Sequence, residues 1–235
     1  TKKPGINRVT WDLRGPAPFE APRPAGAAAA PENPFQQAAR GPWVLPGAYT
    51  AVLSVKAKDK DAVESKAVVT VVRDPQIRMT DAEFRALHEL RVRTAALQGT
   101  VQAVLRAADQ AKSELDDARR AVERAGGNAD ATKLITEAAK TADDIIAKVR
   151  GAQRPPDAAE ETRPSVQQRI ARASGEIGSV NSPATPQQRE TIETASKELD
   201  DQKARVNELT TVTMPALRAQ LDKAGVPWTP GRRIQ

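Results

Sequence analysis

The chain has 235 residues, 39% hydrophobic but only 3% aromatic, with 36 basic and 30 acidic side chains for a formal charge of +6. Any core must come mostly from Ala, Val, Leu and Ile, which suits close helix packing better than an aromatic-walled ligand pocket. There is no cysteine, which excludes disulfides, thiolate metal sites and cysteine nucleophiles, and no apolar run is long enough to span a bilayer.

The charge does not gather into a nucleic-acid footprint. Residues 1–74 hold 11 basic and 7 acidic side chains and the remainder 25 and 23, interspersed, with Phe84 the one aromatic between Pro75 and Val226. A basic stripe with stacking aromatics is missing, so no nucleic-acid partner is expected. The chain opens at Thr1 on what reads as the approach to a strand. The expectation is a piece of something longer.

Ile6-Asn7-Arg8-Val9-Thr10-Trp11-Asp12-Leu13 alternates apolar and polar residues and predicts a short strand. From Gly15 to Pro46 the composition turns to Pro, Ala and Gly, an irregular or polyproline tract. Strand signal returns at Ala48–Val55 after the turn Leu45-Pro46-Gly47, and again at Ala67–Val72 beyond the charged tip Lys56–Asp61. Together these predict an antiparallel hairpin. Three strands are too few to close an Ig-type sandwich, so the remaining strands are expected from a protein partner or from an upstream part of the same precursor.

Asp74-Pro75 ends the strands, and Thr80-Asp81-Ala82-Glu83 is a capping-box pattern opening a helix. Leu87, Leu90, Thr94, Leu97, Val101, Val104, Ala108, Ala111, Leu115, Ala118, Val122 and Ala125 follow at spacings of three and four, a coiled-coil-like seam on one very long helix. Gly126-Gly127 stops it. A second helix is expected from Asn128 to Ala152, with seam Ala131, Ile135, Ala138, Ala142, Ile145 and Val149, folding back antiparallel across the two-glycine link. Arg154-Pro155-Pro156 closes that helix.

A shorter helix from Pro164 to about Ile177 carries Val166, Ile170, Ala173 and Ile177 on one face. Thr185-Pro186-Gln187-Gln188 opens the last long helix, with Ile192, Ala195, Leu199, Val206 and Leu209 inward. Pro215 must kink or interrupt it. Leu217, Leu221 and Ala224 continue to a stop at Gly225. The reading is an α+β chain: a partial Ig-like β-sandwich with a long Pro/Ala-rich loop in residues 1–74, then an antiparallel multi-helix bundle in residues 75–235.

Several of these stretches resemble a known family. Ile6–Leu13 and Leu45-Pro46-Gly47-Ala48-Tyr49-Thr50 are similar to the last strands of the Ig-like module in secreted bacterial sortilin-like BNR-repeat propeller proteins, commonly described as glycosyl hydrolases. Pro183–Glu190 and the ending from Met214-Pro215-Ala216-Leu217 to Gly225-Val226-Pro227-Trp228 resemble that family's helical tail. A related Trp-Asp … Gly-x-Tyr-Thr pattern occurs in the Ig-like domain of the flagellar hook-capping protein. The resemblance implies an extracytoplasmic C-terminal accessory region, periplasmic or secreted. Chemistry in such a parent would sit on the propeller, and no blade-like repeat occurs here.

No catalytic constellation is present in the sequence. His88 is the single histidine and cannot build a typical zinc site alone. Asp116-Asp117, Asp143-Asp144 and Asp200-Asp201 are adjacent pairs, and neighbours on a helix point about 100° apart, so neither member of a pair converges with the other on one substrate. Basic residues nearby suit pairing on wet helix faces. Trp11 and Tyr49 are expected in the sandwich core. Trp43 and Trp228 stand in Pro-rich segments and suit anchoring into a partner. All four are candidate partner-binding residues. No catalytic, cofactor or metal residue, no cofactor and no small-molecule substrate are expected. The functional expectation is a non-catalytic structural or interaction module docking on a larger extracytoplasmic assembly. The alternative is the C-terminal part of a secreted BNR-propeller glycosyl hydrolase whose catalytic domain lies elsewhere.

Overall fold

The computed structural model describes residues 6–19, 40–55, 62–151, 163–227 and 229–231. The start at Thr1, most of the Pro/Ala tract, the hairpin tip Lys56–Asp61, the stop at Arg154-Pro155-Pro156 and Trp228 lie outside them. The chain is helix-rich with a small antiparallel sheet. In order come β1 (Gly47–Val55), β2 (Val63–Val71), α1 (Asp81–Arg124), α2 (Ala129–Arg150), α3 (Val166–Ser179), α4 (Pro186–Glu208), a π-helical segment (Leu209–Thr213) and α5 (Met214–Lys223). Two compact units divide it, Thr1–Val92 with Ile177–Ala184, and Arg93–Glu176 with Thr185–Gln235. The division falls inside α1 and does not follow the composition change at residues 74 and 75.

In the first unit β1 and β2 pair without a slip from Gly47↔Val71 to Val55↔Val63. The strand expected over Ile6–Leu13 is not formed, so the described residues hold two strands and no sandwich. A single bridge, Arg14↔Trp43, is all that remains of that pairing. The Gly15 N–H donates to the Pro42 carbonyl and the Val44 N–H to the Leu13 carbonyl, each at 2.9 Å. Leu13 has φ +60°, which turns the chain out of the extended conformation where a ladder would have to continue. At this crossing Gly41 is obligatory, since a Cβ there would sit 2.1 Å from the Gly15 carbonyl oxygen.

α1 begins as its sequence demands. The Thr80 N–H donates to Glu83 Oε2 at 2.9 Å, and the Glu83 N–H donates back to Thr80 Oγ1 at 3.2 Å. Arg91, on the same helix, is buried although it lies off the apolar seam. Its Nε donates to the Ile177 carbonyl at 3.1 Å and its Nη2 to the Val180 carbonyl at 2.7 Å. These are carbonyls at the C-terminal end of α3, where a cation is favoured and the helix leaves acceptors open. Burial, with the charge of Arg14 added, holds the Arg91 pKa below the usual arginine value.

The second unit is a helical bundle. The ion pairs Asp109–Arg150 and Lys112–Asp143 join α1 to α2 in opposite chain directions. Arg93–Glu193 and Glu114–Arg218 join α1 to α4 and α5 in the same direction. Glu176–Gln188 and Arg169–Glu198 set α3 antiparallel to α4. The expected α2 seam is buried at every position, Ala131, Ile135, Ala138, Ala142, Ile145 and Val149. Three Ala among two Ile and one Val let the axes approach closely while filling the space between them. The α1 seam departs at two places: Leu97 is only partly buried and Ala125 is exposed. Ala125 is past the last residue of α1, where the chain turns through Gly126 (φ +92°) and Gly127 (φ +86°). The Gly127 N–H donates to the Val122 carbonyl at 2.9 Å, a six-to-one closure that needs left-handed backbone.

Asn128 caps α2 by accepting from the Ala131 N–H at 2.9 Å, and Thr185 and Gln188 form the expected capping box on α4. Ser165 and Gln168 form another on α3, with bonds of 3.0 and 3.3 Å. Pro215 interrupts the last helix through the π-helical segment, whose wider turn closes with the Met214 N–H on the Leu209 carbonyl. A regular turn there would drive the Pro215 ring against the carbonyl one turn back.

Candidate interaction surface

Cross-strand partners in an antiparallel ladder share a face, so the register sorts the hairpin into two surfaces. One carries Tyr49, Ala51, Leu53 and Val55 from β1 with Val63, Ala67, Val69 and Val71 from β2; Ser65 is its only polar side chain besides the Tyr49 hydroxyl. The other carries Thr50, Ser54, Glu64, Lys66 and Thr70 among Ala48, Val52 and Val68. An amphipathic hairpin of this kind normally packs its apolar face on a core. Here Leu53 is 63% exposed, Val55 56%, Val63 71% and Val69 41%.

Three of the four nominated aromatic residues gather at the base of this face. Trp11 does not fill a sandwich core; it is 41% exposed and meets the Tyr49 ring edge-on, centroids 5.2 Å apart. Tyr49 is half-buried, and its hydroxyl donates to the Leu45 carbonyl at 2.6 Å. Trp11 Nε1–H donates to the Arg14 carbonyl at 3.0 Å. The Arg14 guanidinium lies 3.8 Å from the centre of the Trp43 ring and donates to the Gly41 carbonyl at 3.0 Å. Trp43 keeps an exposed edge. Trp228 is outside the described residues. The sequence reading missed Arg14, because a stacking partner 29 positions away leaves no local pattern.

Elsewhere the titratable groups form structural pairs. Asp117 bonds Arg120 at 2.6 Å, Asp116 lies 3.8 Å from Arg119, Asp143 meets Lys112, and Asp144 lies 3.8 Å from Arg205. Asp200 and Asp201 are exposed, and His88 is half-buried on α1. Among the described residues no group of three or more His, Asp or Glu side chains is placed to hold a metal. No helix among the described residues is long and apolar enough to cross a membrane.

A cleft of about 680 Å³ in the second unit is lined by Lys148, Arg150, Arg163, Arg169, Glu198 and Asp201, among others. Its arginines are engaged: Arg150 with Asp109, and Arg163 and Arg169 both with Glu198. The Arg169 hydrogen bond, with the charges of Arg169 and Arg163, holds the Glu198 carboxyl below the usual carboxylate range. Glu176 is lowered by Arg172 and Gln188, and Glu193 by Arg93. A carboxylate depressed in the folded state contributes stability above the unfolded glutamate pKa, about 4.3, and that contribution is lost as pH falls through the folded value. The melting temperature of the bundle should therefore hold from pH 7 to 5 and fall below about pH 4.3. Glu198→Gln should lower it at pH 7 and flatten the acid slope; an unchanged slope would remove these pairs from the account.

No family model matches the chain, and no match is found among curated proteins or solved structures.

Proposed function

We propose that the chain is a non-catalytic structural and interaction module, whose hairpin docks onto protein strands that complete an Ig-like two-layer β-module within a larger extracytoplasmic assembly. The observation that supports this reading is the open apolar face of β1 and β2. A two-stranded hairpin is marginal in water by itself, and natural edges of this length are ordinarily covered or charged. Trp11 meets the Tyr49 ring on that face, a contact that supports a second layer laid there by partner strands.

Hydrogen exchange on dilute purified chain tests the reading. Amides of β1 and β2 should exchange within seconds, while those of α1 beyond Arg93 and of α2 stay protected at least a thousandfold, as core helices do relative to locally opening segments. Hairpin amides as protected as the helices would make the β-part self-sufficient and end the docking account.

A second reading is the C-terminal part of a secreted BNR-propeller glycosyl hydrolase. It is favoured by the meeting of the two resembling stretches, Ile6–Leu13 and Leu45–Thr50, at Trp11 and Tyr49. Under both readings the purified chain turns over no glycoside, and turnover abolished by an Asp-to-Asn change in any adjacent pair would overturn both.

A further inference from the structure

We infer that β1 pairs edge to edge with β1 of a second copy of this chain, so that two hairpins make one four-stranded antiparallel sheet; this goes beyond the docking reading above, whose strands cover the apolar face and not the edge. The two outer edges of the hairpin differ in chemistry. β1, Gly-Ala-Tyr-Thr-Ala-Val-Leu-Ser-Val, has no charged residue and no proline, and its register with β2 is free of bulges. Proteins protect free edges with charges, prolines and bulges, and β1 has none of the three. β2 carries Glu64 and Lys66, whose side chains lie 3.9 Å apart. Joining two β2 edges would desolvate those charges opposite Thr70 and Val68; joining two β1 edges desolvates none.

The sequence of β1 is also self-complementary about its centre. With the two-fold axis at Ala51, Tyr49 of one copy faces Leu53 of the other, Ala51 faces Ala51, and Gly47 faces Val55. On the opposite face Thr50 meets Val52 and Ala48 meets Ser54. Aromatic–aliphatic and apolar cross-strand pairs of this kind stabilise a sheet, and the contact is isologous, so it closes as a dimer. A nine-residue strand offers an edge about 30 Å long. Strand pairing alone covers less than the roughly 800 Å² per partner of a standard interface, so the dimer should dissociate on dilution.

Sedimentation over a hundredfold concentration range should show the mass moving from one chain to two. Thr50→Glu with Val52→Glu should remain monomeric throughout. Across the two-fold axis these glutamates face each other, while within the hairpin position 52 is opposite Lys66, so the hairpin itself is supported; unchanged helical circular dichroism checks the bundle. The absence of native cysteine allows a direct register test. Cα atoms of opposed antiparallel residues are about 4.5–5.5 Å apart, within disulfide reach. Ala51→Cys should therefore oxidise to a covalent dimer at least tenfold faster than Ala67→Cys, its neighbour on β2. A chain that stays monomeric while its hairpin amides exchange rapidly overturns the second-copy assignment and leaves the docking reading standing. A monomer with protected hairpin amides overturns both. Equal cross-linking at positions 51 and 67 overturns the β1 edge.

Discussion

Leu115→Ala should cost about 3–5 kcal/mol, the range for a buried leucine replaced by alanine in a packed core. Leu115 is fully buried in the cluster that also holds Ala138, Ala142, Ile145, Leu217 and Leu221. Alanines in that cluster have no side-chain torsion through which to move into the space left behind, so part of the cavity term remains. At about 2–4 °C per kcal/mol for a chain of this size, the melting temperature should fall by about 10 °C. Asp117→Ala, two residues on, removes a pair with Arg120 and should cost less than about 1 kcal/mol. Leu97→Ala should fall between them, because Leu97 is only partly buried. Thermal melts of the three variants give the order directly, and equal shifts for Leu115 and Asp117 would mean that the buried face of α1 is misassigned.

Breaking the Glu114–Arg218 pair should have the next largest effect. Arg218 donates through Nε to Glu114 Oε1 at 2.6 Å and through Nη2 to Oε2 at 2.8 Å, a two-pronged bond between α1 and α5. The Glu114 side chain is 14% exposed and that of Arg218 32%, and the hydrogen bond Arg218 donates to Glu114 raises the Arg218 pKa. Glu114→Ala leaves the guanidinium without its carboxylate. The cost should be about 2–3 kcal/mol, between exposed pairs below about 1 and broken buried pairs at 3–5 kcal/mol. Gly231→Ala reaches the same pair from the other side: its Cβ would lie 2.5 Å from Glu114 Oε1, at a backbone φ of +87°. Urea titration should show both variants destabilised while Lys197→Ala, in an exposed pair with Glu193, changes the midpoint little. A silent Glu114→Ala would make the pair a surface ornament.

The helices were legible because their determinants are local and periodic. The α2 seam and the Thr80 and Thr185 capping boxes use residues within one or two turns of each other. The Ser165-x-x-Gln168 box had the same signal, but Pro164 drew the expected helix start two residues too early. The β-part was legible only in its hairpin. Alternation in Ile6–Leu13 marks residues that suit a strand, but a strand exists only with a neighbour, and the φ of Leu13 is set by the crossing at Gly41 and Trp43. The apolar face was present as a period of two in Tyr49, Ala51, Leu53 and Val55; that it lies open depends on what packs over it, which no local pattern encodes. Arg91 is the same case in the helices: it interrupts the amphipathic pattern because its acceptors are 86 and 89 positions away.

The π-helical segment between α4 and α5 also acts as a phase corrector. Buried positions there run Val206, Leu209, Met214, Leu217 and Leu221, one gap of five among threes and fours. In an unbroken α-helix the extra residue would rotate everything after Leu209 by about 100°, swinging Leu217 and Leu221 out to water. The wide turn absorbs that residue, so the same five residues both make room for Pro215 and return α5 to the core. Chain length is thus adjustable by one at this place: removing Thr211 together with Pro215→Ala would keep the Leu217–Leu221 face inward on a continuous α-helix. Removing one residue from the middle of α2, where no such slack exists, would turn half of its seam to solvent.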